Sequence, residues 1–125
     1  MDDRMSDLGE LELEVMQIVW DSGEITAEQV REKLPRSAKE STVRTVLSRL
    51  EDKGYLTHSI EGRTFVFRAA EARQEVAARA VRRIVDWFCK GSVEEVLVGM
   101  ADARMLDAKT LEVLAKRIKA AKARR

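Results

Sequence analysis

The sequence contains very little cysteine, histidine or proline. Its 125 residues include one Cys, one His and one Pro. A single Cys excludes an intramolecular disulfide, and together with a single His it excludes Cys-rich and paired-His zinc sites, so no cofactor is expected. One Pro and six Gly, in a chain rich in Ala, Leu, Val, Glu and Arg, predict a mostly helical protein with few long loops.

Long apolar runs are also absent. No stretch approaches the ~18 residues that cross a membrane. The amino terminus, Met1-Asp2-Asp3-Arg4, is acidic and lacks the apolar core of a signal peptide. The sequence therefore predicts a cytoplasmic protein without a membrane partner.

The net charge of +1 conceals an uneven distribution. Residues 1–32 have ten acidic and two basic side chains, a net charge of −8 that would repel DNA. Residues 36–68 have a net charge of +3, and residues 71–125 one of +5. The basic middle is compatible with a polyanion partner, although most charged faces are simply solvated.

Two helix-start signals occur in the first third of the chain. Gly9 with Glu12, and Thr26 with Gln29, have the spacing of a capping box, in which two residues bond each other's backbone amides. The Leu34-Pro35 step should end the second helix. The two helices are predicted over about residues 10–21 and 27–34.

A third helix is predicted over residues 38–53, with Gly54 as its stop signal. Its apolar residues have helical spacing and should face the core: Val43, Val46, Leu47 and Leu50. The opposite face is polar and basic, and it consists of Ser41, Thr42, Arg44, Thr45, Ser48 and Arg49. Such side chains can contact DNA, but they can also form a solvated helix face.

After Gly54 the apolar pattern alternates, which indicates two strands near residues 56–60 and 63–68 with a turn at Glu61-Gly62. Because an isolated hairpin is only marginally stable, residues 23–25 are expected to add a third strand. Arg63 at the tip could face solvent or meet a phosphate. His58 is expected to be half-buried and structural.

The last third of the chain is predicted to form three amphipathic helices, with breaks near residues 91–92 and 105–107 and with Ser92 and Asp107 as caps. About 55 such residues cannot close a core alone, so residues 71–125 are expected to present a surface that a partner covers, and residues 1–70 to form a separate domain. Cys89 is expected to be buried and inert.

Three helices followed by a basic hairpin are typical of a winged helix-turn-helix, a mainly α fold with a small antiparallel β-wing. Four stretches of the sequence are more specific than the fold: LGELELEVM (8–16) with Trp20, STVRTVLSRL (41–50), KGYL (53–56) and GRTFVF (62–67). In these stretches the chain resembles the penicillinase-repressor and methicillin-resistance-repressor family of bacterial transcriptional regulators. The resemblance covers residues 8–68 densely.

The resemblance implies a homodimeric repressor of β-lactam resistance genes that binds an inverted repeat in double-stranded DNA. It also implies that residues 71–125 are a dimerisation domain, and the core shared between two copies is then assigned to Ile84, Trp87, Phe88, Val96, Leu97, Leu111, Leu114 and Ile118. It further implies relief of repression by a sensor-linked protease that cuts the dimerisation part. The matching bond here is Ser92-Val93, where the characterised members have an Asn-Phe pair. Val93 is expected to be buried at the start of a helix, so that cutting requires local opening. The Cys-x-Cys motifs of a copper-responsive branch are absent.

Two alternatives bear on the function. An enzyme is not expected, because Glu10, Glu12 and Glu14 alternate around a helix instead of converging, and no Ser-His or Cys-His constellation exists. A winged-helix module that binds another protein, without specific DNA binding, stays open. Relief of repression could also depend on a ligand or on Cys89 instead of on cleavage.

Overall fold

The fold is mostly helical with one small antiparallel sheet, as predicted. A computed structural model describes residues 8–123. The charged residues Asp2, Asp3, Arg4 and Asp7 of the acidic amino-terminal stretch lie outside this range, as do residues 124–125. The described elements are α1 (Glu10–Ser22), β1 (Glu24–Thr26), α2 (Ala27–Lys33), α3 (Glu40–Asp52), β2 (Leu56–Glu61), β3 (Thr64–Ala69), α4 (Arg73–Phe88), α5 (Val93–Asp102) and α6 (Ala108–Ala123). None of these helices is both long enough and apolar enough to cross a membrane.

Helices α1 and α2 begin at the predicted capping boxes. The Gly9 amide donates to Glu12 Oε1 at 2.8 Å. In α2, the Thr26 amide donates to Gln29 Oε1 at 3.0 Å, and the Gln29 amide donates to Thr26 Oγ1 at 3.2 Å. These short-range bonds satisfy amides that a helix start otherwise leaves unpaired.

Helix α3 begins at Glu40, two residues later than predicted, and ends at Asp52. Its N-cap, Lys39, makes no side-chain capping bond. The Glu40 carboxylate instead accepts from Arg44 one turn further on, so it does not fold back over the helix start. Gly54 has a φ of 89°, which suits glycine and lets the chain turn into β2.

The core of the first part of the chain lies between α1, α2, α3 and the sheet. All the residues predicted to face inward from α3 are buried, namely Val43, Val46, Leu47 and Leu50. They belong to one cluster with apolar residues of α1 and with Val76 of α4. Trp20 Nε1 also donates to the Glu71 carbonyl at 3.0 Å. This core therefore extends past residue 70.

The three strands form an antiparallel sheet in the order β1-β3-β2. The third strand predicted beside the hairpin is present, and it spans Glu24–Thr26 instead of residues 23–25. Gly62 has a φ of 67° in the hairpin turn. Because β3 begins at Thr64, Arg63 lies in this turn and not within the strand that the pattern predicted.

The described chain divides into two compact units, and the division falls after Val81, inside α4. The functional boundary between residues 70 and 71 stays a prediction.

In the second unit the predicted caps are present: Ser92 Oγ accepts from the Glu95 amide at 3.1 Å, and Asp107 Oδ1 accepts from the Thr110 amide at 2.7 Å. The bond from the Thr110 backbone lowers the pKa of Asp107. This cap is therefore present at neutral pH and is lost as the pH falls through the lowered pKa.

Candidate nucleic-acid interface

The outer face of α3 presents the polar and basic residues that the sequence predicted. All of them are exposed: Ser41, Thr42, Arg44, Thr45, Ser48 and Arg49. The face is held in position because the opposite side of the same helix is buried in the core. Hydroxyl and guanidinium groups are the side-chain groups that most often contact phosphates and base edges in DNA.

The two arginines of this face differ in their surroundings. Glu40 Oε1 accepts from Arg44 twice, with Nη2 at 2.9 Å and Nε at 3.1 Å. Within residues 8–123, the Arg49 side chain has no such partner. The Thr45 hydroxyl donates to the Ser41 carbonyl at 2.9 Å, which leaves its methyl group and an oxygen lone pair for a ligand.

The wing consists of β2, β3 and the turn between them. It contacts the end of α3 through His58 of β2. Its Nδ1 lies 2.8 and 2.7 Å from the two carboxylate oxygens of Glu51. Its ring stacks on Phe65 of β3, with centroids 4.4 Å apart and planes inclined by 7°. His58 is half-buried, as predicted, and the exposed Arg63 projects from the turn beyond it.

Helix α2, helix α3 and the wing line a cleft of about 570 Å³. Each of these elements supplies one arginine to the cleft: Arg31, Arg44 and Arg63. Three carboxylates line it as well, namely Glu28, Glu40 and Glu51. Thus a ligand bound along α3 can also reach the wing. No group of three or more His, Cys, Asp or Glu side chains that could hold a metal occurs among the described residues.

Sequence reasoning missed several contributors to this surface. Arg31, whose Nε donates to the Ala38 carbonyl at 2.9 Å, reaches the cleft from α2, and Phe65 reaches it from β3. Tertiary packing brings both side chains to the cleft, and no spacing in the sequence indicates that they meet there. The pair of Glu40 and Arg44 is different, because its i, i+4 spacing in a helix was a usable signal.

The apolar residues predicted for the dimer core are mostly uncovered in the single chain. Ile84 and Val96 are half-buried. The other six are exposed: Trp87, Phe88, Leu97, Leu111, Leu114 and Ile118. Among residues 82–123 only Val85 is buried. Contiguous exposed apolar surface is typical of regions that a partner covers.

The bond between Ser92 and Val93 lies at the start of α5. Ser92 is half-buried and caps the helix. Val93, its first helical residue, is 47% exposed. The prediction of a buried Val93 was wrong, because only part of this side chain is covered. Cys89 is half-buried, not fully buried as predicted.

The chain is similar in sequence to known proteins. Residues 8–120 match the sequence profile of the penicillinase repressor family. The penicillinase repressor of Bacillus licheniformis is 36% identical over 66 residues, which are 51% of this chain and 52% of that protein. An uncharacterized 16.5 kDa protein in the ptsI 3' region of Latilactobacillus sakei is 30% identical over 97 residues, 76% of this chain and 66% of that protein. The aligned part of the chain thus spans less than two thirds of either relative.

The solution structure of the DNA-binding domain of the repressor BlaI is also similar. It matches with a TM-score of 0.51 and 30% sequence identity, over 59% of this chain and 93% of that domain. The family and the fold are those of transcriptional repressors, which are not enzymes. Because the family profile matches nearly the whole described chain, this protein belongs to the penicillinase repressor family.

Proposed function

We propose that this protein is a transcriptional repressor that binds double-stranded operator DNA through α3 and the wing. The observation that supports this most directly is the outer face of α3, where hydroxyl and guanidinium groups are exposed on a helix anchored by its buried opposite face. In winged-helix proteins a helix of this kind enters the major groove. Such a repressor acts in the cytoplasm. The name of the penicillinase repressor suggests β-lactam resistance genes as its targets.

Arg44 and Arg49 are the main readers in this proposal, because a guanidinium can bond the O6 and N7 atoms of guanine. Thr42 and Thr45 offer methyl groups to thymine, and Thr42 also offers its hydroxyl group to phosphate. The Thr45 hydroxyl already donates to the Ser41 carbonyl, and the serines of the face contribute less. Arg63 lies in the wing turn, where one cation can reach a backbone phosphate. The wing therefore adds affinity and little sequence preference.

The proposed active form is a homodimer on an inverted repeat. The exposed apolar residues of the second unit support it, because their burial against a second copy is favourable. Joining two DNA-binding units in one dimer raises affinity, because the second unit then binds its half-site as an intramolecular step. The half-sites should lie about one or two DNA turns apart, in multiples of ~34 Å.

Repression is proposed to end when a sensor-linked protease cuts between Ser92 and Val93. The exposure of Val93 supports this site, since a protease needs an accessible chain. Cutting there would detach α5 and α6, which include Leu97, Leu111 and Leu114 of the predicted dimer core. The alternative is an uncut chain that responds to a ligand or to Cys89.

Replacing Arg44 or Arg49 with Ala is expected to weaken operator binding by ~1–3 kcal/mol each, because each loses a base or phosphate contact. Fluorescence anisotropy titrations at moderate salt would measure the loss, with an operator duplex and a scrambled duplex of equal length. If both variants bind the operator as tightly as the wild type, α3 does not read DNA.

Arg63→Ala is the matched comparison for these two variants. It should weaken binding to operator and scrambled DNA alike and lower the slope of log affinity against log salt by about one charge.

The second candidate function, protein binding, is favoured by the net charge of −8 over residues 1–32. Affinity for DNA that does not fall steeply with salt would support that candidate.

Exposure of cells to a β-lactam is expected to convert the 14.2 kDa chain into two fragments that separate at Ser92-Val93, as measured by intact-protein mass spectrometry. Val93→Pro is a suitable control. Val93 is the first residue of α5, where proline fits, and Ser92 already has the extended conformation required before proline. This variant should stay intact and keep target genes repressed. An unbroken wild-type chain during induction excludes cleavage.

A further inference from the structure

Glu40 is an acidic residue at the beginning of the helix proposed to enter the DNA groove. It is exposed, and it lines the cleft between α2, α3 and the wing. A carboxylate beside DNA repels phosphates, so by itself it lowers affinity for any duplex. An acid in the first turn of a helix is favoured by the helix dipole, so the position alone does not assign Glu40 a role in DNA binding.

The contact between Glu40 and Arg44 indicates what that role is. Glu40 Oε1 accepts from Arg44 Nη2 at 2.9 Å and from Nε at 3.1 Å. It therefore occupies one side of the planar guanidinium. The outward N–H groups on Nη1 and Nη2 stay available, and they form the parallel pair of donors that matches O6 and N7 of guanine. Arg44 can bind Glu40 and guanine at the same time.

This contact contributes little to the stability of the fold. The side chains of Arg44 and Glu40 are 68% and 61% exposed, and solvent screens exposed ion pairs between residues one helical turn apart. The fold therefore does not depend on it. The contact does hold the Arg44 guanidinium beside Glu40, which limits the directions that this long side chain can take.

We propose that Glu40 is a specificity-determining residue, which positions Arg44 toward a base edge and opposes its contact with phosphates on non-operator DNA. This inference rests on the proposed DNA-binding function. Glu40 acts through Arg44 in this account, so it is a positioning residue and need not touch a base.

Glu40→Ala in the full-length protein tests the proposal. The probes are a duplex selected by the wild-type protein from a random-sequence library and a scrambled duplex of the same composition. The variant should bind the scrambled duplex more tightly, and its preference for the selected duplex should fall about tenfold, since one bidentate base contact gives discrimination of that order. Its salt slope on scrambled DNA should rise by about one charge, because Arg44 then contacts a phosphate.

Glu28→Ala is the matched control. Glu28 is an exposed carboxylate that lines the same cleft from α2, and within residues 8–123 it has no ion-pair partner. This variant removes the same charge without releasing an arginine, so both duplexes should gain affinity equally. Equal changes in sequence preference for the Glu28 and Glu40 variants would overturn the positioning role.

Arg44→Ala gives a second, independent measurement. In that background Glu40→Ala should cause no further loss of sequence preference, because the two residues act as one unit. If Glu40→Ala lowers the sequence preference as much in the Arg44→Ala background as in the wild type, the proposal is wrong. If the wild type selects no sequence from the library, the proposed function itself fails, whereas a selective wild type with an equally selective Glu40→Ala variant overturns only the inference about Glu40.

Discussion

Replacing Leu114 with Asp is expected to convert the proposed full-length dimer into a monomer and to weaken operator binding by about 10²–10⁴-fold. Leu114 lies on α6, none of whose residues is buried in the single chain, so the new carboxylate should not disturb the fold of one copy. Between two copies it would lie among apolar side chains, where an unpaired charge is strongly unfavourable. Sedimentation velocity at micromolar concentration measures the first effect, and anisotropy titration the second.

Val113→Asp is the matched control for this experiment. Val113 is the neighbouring residue and is 52% exposed, but successive residues point about 100° apart around a helix. It lies outside the proposed apolar stripe, so the same substitution should leave both the dimer and its affinity unchanged. A wild-type monomer at micromolar concentration would contradict dimerisation.

Removal of the second unit should give the same weakened binding as Leu114→Asp. The shortened chain has to end after Val81, because Val76 belongs to the first core and the Glu71 carbonyl accepts a hydrogen bond from Trp20. A chain that ends at residue 70 would lose both contacts. The sequence alone placed the boundary there because the strand pattern ends near residue 68, and it gave no sign that the next helix completes the same core.

The parts of the fold that depend on short-range bonds were predictable. The capping box of Thr26 with Gln29 and the N-cap bond from the Glu95 amide to Ser92 join residues three apart, so their spacing is visible in the sequence. The start of α3 was harder to predict. Glu40 follows Ser37 at the spacing of a capping box and precedes Arg44 at the spacing of an ion pair, and in the structure only the bond with Arg44 forms.

In the candidate site, too, local features were predictable from the sequence and tertiary contacts were not. Periodicity alone separated the outer face of α3 from its buried face, because a helix repeats every 3.6 residues. The contact of His58 with Glu51 joins a strand to a helix, and Arg31 enters the cleft from α2. Only the packed positions of whole elements determine such contacts. The exposure of Val93 belongs to this class too, since it depends on what covers the helix.

Replacing Leu50 with Ala is expected to lower the free energy of unfolding by ~2–5 kcal/mol, because the truncation removes buried apolar contacts and leaves a cavity. Leu50 is fully buried in the cluster that holds α3 against the rest of the first unit. The expected loss is a large share of the ~5–15 kcal/mol by which a small domain is stable. Operator binding should fall with the folded fraction, which urea unfolding followed by circular dichroism would measure.

Thr45→Ala tests the opposite face of the same helix. Thr45 is exposed, so the free energy of unfolding should change by less than ~0.5 kcal/mol. Operator affinity should nevertheless weaken by ~1–3 kcal/mol, because a contact to DNA is lost. A stabilising osmolyte should restore binding by Leu50→Ala, whose defect is in folding, but not by Thr45→Ala. An unchanged unfolding energy in Leu50→Ala would show that the buried face does not anchor α3, and an unchanged operator affinity in Thr45→Ala would remove this threonine from the interface.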